Sequence, residues 1–259
     1  MINFNPKDRY GFADLVEIMA LLRSPEGCPW DRAQDHASIR RNFIEEVYEA
    51  VDAIDQQDDA GLREELGDVM MQVVFHAQIA RENGRFTIDD VTDEVCKKLI
   101  HRHPHIFAGV SAHTSEEVIR NWDAIKRQEK GQKNTAQTME QIPHSLPALM
   151  YAEKMQSRAQ KGGFQWPALP QALEALQQLA AGLGPAVEQG CGQQALGDVL
   201  FAAVAAARLC QADPEECLYR ASQRFLTQFG QMEEAAPAPL QEMTEAQQQA
   251  LWEQVKNRQ

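Results

Sequence analysis

The stretch NFIEEVYEAVDAIDQQDDAGLREELGDVMMQVVFH, residues 42–76, decides the reading of this chain. Apolar residues recur at three- and four-residue steps on both sides of a polar turn, with Ile39, Phe43, Val47, Val51 and Ile54 before it and Leu62, Leu66, Val69, Val73 and Ala77 after it. That period is one face of an amphipathic helix, and the short turn predicts two antiparallel neighbours. Carboxylates interrupt the pattern where leucines would be expected. Successive helical residues lie about 100° apart, so Glu46 with Glu49, and Glu65 with Asp68, each diverge by about 60° and form a pincer. Leu62, Glu65 and Val69 share one stripe with Asp68 beside it, whereas Arg63, Glu64 and Gly67 fall on the outer face. Four facing carboxylates repel one another and cannot all stay ionised in a partly buried site without compensation. A divalent cation supplies it, and an all-oxygen set suits a hard ion such as Mg²⁺ or Mn²⁺. A di-iron centre of the bundle type uses Glu-x-x-His pairs; here the i+3 partners are Glu49 and Asp68, with the nearest histidine, His76, two turns on. A lone EExxE is usually a solvated surface; its pairing with ELGD one short turn away makes the pattern specific.

The helical period continues through nearly the whole chain and strand alternation is scarce, which predicts an all-α protein. Residues 12–23 place Phe12, Leu15, Met19 and Leu22 on one stripe; Thr87, with Asp89 and Asp90 behind it, has the form of an N-cap; Pro104 stops that helix; another starts at Ser115 with Glu116 and Glu117. Residues 131–145, GQKNTAQTMEQIPHS, are polar and turn-rich and are the best linker candidate. Beyond them the pattern restarts. ELGDVMMQVVFHAQIA at 65–80 is echoed by ALGDVLFAAVAAARLC at 195–210, and NWDAIKRQ at 121–128 by LWEQVKNR at 251–258, both at an offset of 130 residues. Two separated segments in one register indicate a tandem duplication, with domains expected at 1–130 and 146–259.

The bulk properties fit a globular protein. At 259 residues, 44% hydrophobic and 24% charged, the chain can bury a core. A net charge of -13 argues against a nucleic-acid binder, which needs a basic face. Five cysteines without CxxC spacing suit a reducing compartment. The N-terminus lacks a signal-like apolar segment and no later run is uncharged for the length of a membrane span, so a cytoplasmic protein without a membrane partner is expected.

Cations and an aromatic complete the candidate site. Lys98 and Arg102 stand one turn apart on one predicted helix, and Trp122 and Lys126 one turn apart on the next. A lysine and arginine on one face can hold phosphate oxygens, and a tryptophan offers a surface on which a base stacks. Each alone is more often a helix-end cation or a core aromatic. His101, His103 and His105 alternate around a proline without helical spacing and are not expected to ligate a metal.

These motifs, EEVYE followed by ELGD, with GCPWD at 27–31, KKLIHRHPHIF and SLPALMYAEKMQSRA, resemble the MazG-type nucleoside triphosphate pyrophosphohydrolases over essentially the whole chain. The resemblance implies an all-helical enzyme, commonly a dimer, that hydrolyses a nucleoside triphosphate to the monophosphate and pyrophosphate. It implies that Glu46, Glu49, Glu65 and Asp68 bind Mg²⁺ and that Lys98, Arg102, Trp122 and Lys126 contact the nucleotide. Glu45, adjacent and otherwise unassigned, is the candidate general base. The second half departs from this pattern: ALQQLAAGL stands where EExxE should, only Asp198 remains of ExxD, and Gln228 is the counterpart of Arg102, although Arg224 can stand for Lys98 and Trp252 and Lys256 persist. Catalysis is therefore expected in the first half, the second being structural or regulatory. Two rivals are a nucleotide-sensing or protein-binding bundle without turnover and a narrow pyrophosphatase for one deoxynucleotide or damaged nucleotide.

Overall fold

The computed structural model describes residues 4–129, 131–132 and 134–257, and among these every regular element is helical. The chain forms two compact units, Met1–Ile125 and Lys126–Gln259.

In the first unit, α1 (Phe12–Leu22) is followed by a short α2 (Pro29–Ala33), the pair α3 (Arg40–Asp55) and α4 (Asp59–Glu82), then α5 (Ile88–Arg102), α6 (Pro104–Phe107) and α7 (Ser115–Glu129), whose last turn belongs to the second unit. The turn between α3 and α4 has local causes. Gln57 takes a left-handed φ of 56°, and the Asp58 carboxylate caps α4 by accepting from the amides of Ala60 and Gly61. Thr87 caps α5 as its sequence foretells, exchanging bonds with Asp90 in a capping box. His103 ends that helix and Pro104 opens the next.

Met19 of α1, Ile39, and Val74, Phe75 and Ile79 of α4 make the core, with Leu15, Val16, Met71 and Ile88 packed around it. Arg23 ties the GCPWD loop to this core. Its guanidinium forks onto Glu82 at 2.9 and 2.6 Å, reaches the carbonyls of Asp31 and Gln34, and lies 5.2 Å from the Phe75 ring centre. Gly27 is required here by close approach, since a Cβ would lie 2.2 Å from the Leu22 carbonyl oxygen. The amide of Cys28 donates to that same oxygen at 2.7 Å.

The apolar stripe expected to bury α3 does not do so. Val47, Val51 and Ile54 are 43%, 44% and 57% exposed, and Leu66 on α4 is likewise exposed. Ala50 and Ala53 are the buried positions of α3. Small residues allow α3 to approach α4 closely, which turns the larger side chains outward.

The second unit holds α8 (Thr135–Glu140), α9 (Ala148–Lys161), α10 (Leu169–Ala181), α11 (Leu183–Glu188), α12 (Gly192–Leu209), α13 (Pro214–Ala235), a 3-10 turn (Leu240–Glu242) and α14 (Glu245–Lys256). The duplicated register reappears in its elements: α7 starts at 115 and α14 at 245, and Val74 and Val204 are each 1% exposed. Residues 131–145 contain α8, bury Thr138 and leave Ile142 only 1% exposed. The buried amide of Gln156 replaces an apolar contact, donating to the Phe201 carbonyl at 2.8 Å and facing Arg208.

Candidate active site

Antiparallel α3 and α4 bring the two pincers together. One carboxylate oxygen from each of Glu46, Glu49 and Glu65 lies within 4.8 Å of the others. Glu46 and Glu65 are half-buried and Glu49 is exposed. Asp68, also half-buried, stands one turn beyond Glu65 and outside that trio, but its charge acts on Glu46 and Glu65. Arg63, Glu64 and Gly67 face solvent, as their spacing indicates.

This crowding has an electrostatic cost. Burial pushes the Glu46 carboxyl above its ordinary range and Asp68 and Glu49 add to the effect, while the Gln72 amide opposes it. Glu65 is raised by the same causes, burial first, then Glu49, Asp68, Glu64 and Glu46. Both groups would ionise more readily beside a divalent cation, and the donor set, all carboxylate oxygen, fits a hard one. Glu45 points elsewhere on α3, where its carboxylate accepts from Arg41 Nε at 2.8 Å.

A second group forms between α5 and α7. The Arg102 guanidinium lies 5.4 Å from the Trp122 ring centre, and His103 meets the same indole edge-on at 5.0 Å. Lys98 is exposed one turn before Arg102, and Lys126 follows Trp122 by one turn of α7. The role of His103 as a neighbour of Trp122 has no signature in spacing, because it sits beyond the end of α5 where the chain turns. Two further contacts escape a sequence reading. Gln72 of α4 reaches Glu46, with 3.5 Å from Nε2 to Oε1, and His36 faces His76 with 2.9 Å between their Nδ1 atoms. Burial and the charge of His36 hold His76 below the usual histidine range.

The second unit presents the same helices without the acids. At the repeat offset, Leu176, Leu179 and Ala195 take the places of Glu46, Glu49 and Glu65, and Asp198 is exposed. Trp252 packs against Phe225 with ring centres 5.3 Å apart, and Lys256 sits 3.5 Å from Glu253 of its own helix.

Residues 34–107, which contain all four acids together with Lys98 and Arg102, match the family model described as MazG nucleotide pyrophosphohydrolase domain. A nucleoside triphosphate pyrophosphohydrolase/pyrophosphatase MazG of Thermotoga maritima is 43% identical over 223 residues, 86% of each chain. The chain belongs to the MazG family. A nucleoside triphosphate pyrophosphohydrolase of Escherichia coli (strain K12) is 41% identical over 251 residues, 93% of this chain and 95% of that one. MazG relatives thus match both halves, whereas the family model covers the half that retains the acids.

Proposed function

We propose that this MazG protein is a divalent-metal-dependent nucleoside triphosphate pyrophosphohydrolase whose active half is the first, residues 1–130, joined through residues 131–145 to a half, 146–259, whose site has decayed. The observation that carries this reading is the convergence of Glu46, Glu49 and Glu65 oxygens within 4.8 Å, inside the segment matched by the family. The reaction cleaves a nucleoside triphosphate into the monophosphate and pyrophosphate.

Glu46, Glu49, Glu65 and Asp68 are the carboxylates that would hold the cation, with Mg²⁺ as the assigned ion and Mn²⁺ as its substitute. Bound there, a divalent cation polarises phosphate oxygens and offsets the charge of the departing pyrophosphate. Arg102, Lys98 and Lys126 bind the phosphate chain, the arginine through its fork, and Trp122 stacks on the base. Water attacks the α-phosphorus as the bond to the α–β bridging oxygen breaks, and Glu45 takes the water's proton after releasing Arg41. The acidic balance and the free cysteines support a cytoplasmic protein that acts on free nucleotides, with neither nucleic acid nor membrane as partner, and a homodimer is the assembly the family resemblance implies. Among the described residues no single helix is long and apolar enough to cross a membrane.

Pyrophosphate release from a panel of nucleoside triphosphates with Mg²⁺ tests the assignment. Glu46→Gln should lower the rate by roughly a hundredfold or more, while Asp198→Asn leaves it intact. Loss in Asp198→Asn with Glu46→Gln still active would move catalysis out of the first half. Nucleotide binding without release from any member of the panel would make the chain a sensor.

A further inference from the structure

Gln72 occupies a position where α4 otherwise buries apolar side chains, between the acid pair Glu65 and Asp68 and the core residues Val74 and Phe75. It is 4% exposed. A buried primary amide needs acceptors for its N–H groups and a donor for its oxygen. The Nε2 group reaches Glu46 Oε1 at 3.5 Å, the long end of hydrogen bonding, and Oε1 is buried without a hydrogen-bond partner among the described residues. Leaving such an acceptor unpaired destabilises a fold, so a residue chosen for packing would be leucine or methionine. The duplication supplies a control. At the same register of α12 stands Ala202, in the half where leucines and an alanine replace three of the acids. The amide is absent where three of the four carboxylates are absent.

We propose that Gln72 is a positioning residue for the cation site, its amide N–H steering Glu46. The inference rests on the first-half cation site proposed above. Glu46, half-buried and facing the charges of Asp68 and Glu49, is the member of the trio that the Gln72 amide reaches. A neutral amide suits this place better than lysine would, because it orients the carboxylate without competing for it as a cation. Residues of this kind, behind the ligands, typically change metal affinity by about 10- to 100-fold when removed.

The test is titration of the full-length, nucleotide-free protein with Mn²⁺, counting free ion by electron paramagnetic resonance, for the wild type, Gln72→Met and Glu46→Gln. Melting temperatures in a chelator are measured alongside. The expected result is Mn²⁺ affinity lowered about 10- to 100-fold in Gln72→Met with a chelator-state melting temperature unchanged or raised. Wild-type affinity in Gln72→Met, or a lowered chelator-state melting temperature with affinity intact, overturns the proposal and leaves Gln72 a packing residue. Failure of the wild type to bind Mn²⁺, or wild-type binding in Glu46→Gln, overturns the cation site itself and the role of Gln72 with it. If Gln72→Met does not fold, Gln72→Ala is read by the same criteria, since α12 accommodates Ala202.

Discussion

At Glu46 and Glu65 a proton and the proposed cation would compete for the same oxygens. Their folded values are raised, so the metal-free fold binds more protons than the unfolded chain across the interval between the ordinary carboxylate range and the raised values. The stability this confers is complete below that interval and is lost as pH rises through it. Metal binding has the opposite slope, because the ligands must be deprotonated. The Mg²⁺ concentration for half-maximal pyrophosphate release should therefore climb as pH falls through the raised values, by up to about tenfold per pH unit for each proton displaced. A metal requirement that does not rise as pH falls toward the ordinary carboxylate range would contradict this. On the nucleotide side, Arg102→Ala removes a forked donor and the cation over Trp122, and should raise KM roughly tenfold or more with a smaller change in kcat, measurable by steady-state kinetics. The pincers were legible in the sequence because a 3.6-residue period reports which side chains share a face. Gln72 was not, since a contact across 26 residues leaves no trace in spacing.

Single elements show where periodicity informs and where it stops. The start of α5 was legible from Thr87 and Asp90, whose side chains complete each other's hydrogen bonds locally. Periodicity did not show which side of α3 is buried: Ala50 and Ala53 form the close contact, and Val47, Val51 and Ile54 point outward. An amphipathic pattern marks an apolar face without saying what covers it. Residues 131–145 gave the converse difficulty: α8 spans six residues, too few for a period to register, yet Ile142 beside it is buried. GCPWD was recognisable as a motif, but the demand on its glycine is visible only in the loop that Arg23 anchors. Gly27→Ala should push the loop off the end of α1 and destabilise the fold by about 1–3 kcal/mol, as read from urea unfolding. Unchanged stability would mean that the loop shifts at no cost.

At the scale of the molecule, Ile44, Val47, Tyr48, Val51 and Ile54 of α3 and Leu66 and Met70 of α4 are all exposed. Exposed faces of this extent mark contact surfaces, and a second copy of the chain is the partner expected here. Light scattering should give the dimer mass, and Val51→Asp with Ile54→Asp should reduce it to the monomer or unfold the first unit; a wild-type monomer would refute the expectation. The tandem repeat was legible because two echoes shared one offset, whereas a partner surface is silent in a single chain.

The α3 helix carries two of the proposed cation ligands and the uncovered apolar stripe within the same four turns, with Glu46 next to Val47 and Glu49 two residues before Val51. Turnover per molecule should then be no constant of the protein. It should fall on dilution once the concentration drops below that of half-association, giving progress curves that start fast and slow after the enzyme is diluted from a concentrated stock, a curvature that disappears when the diluted enzyme is pre-equilibrated.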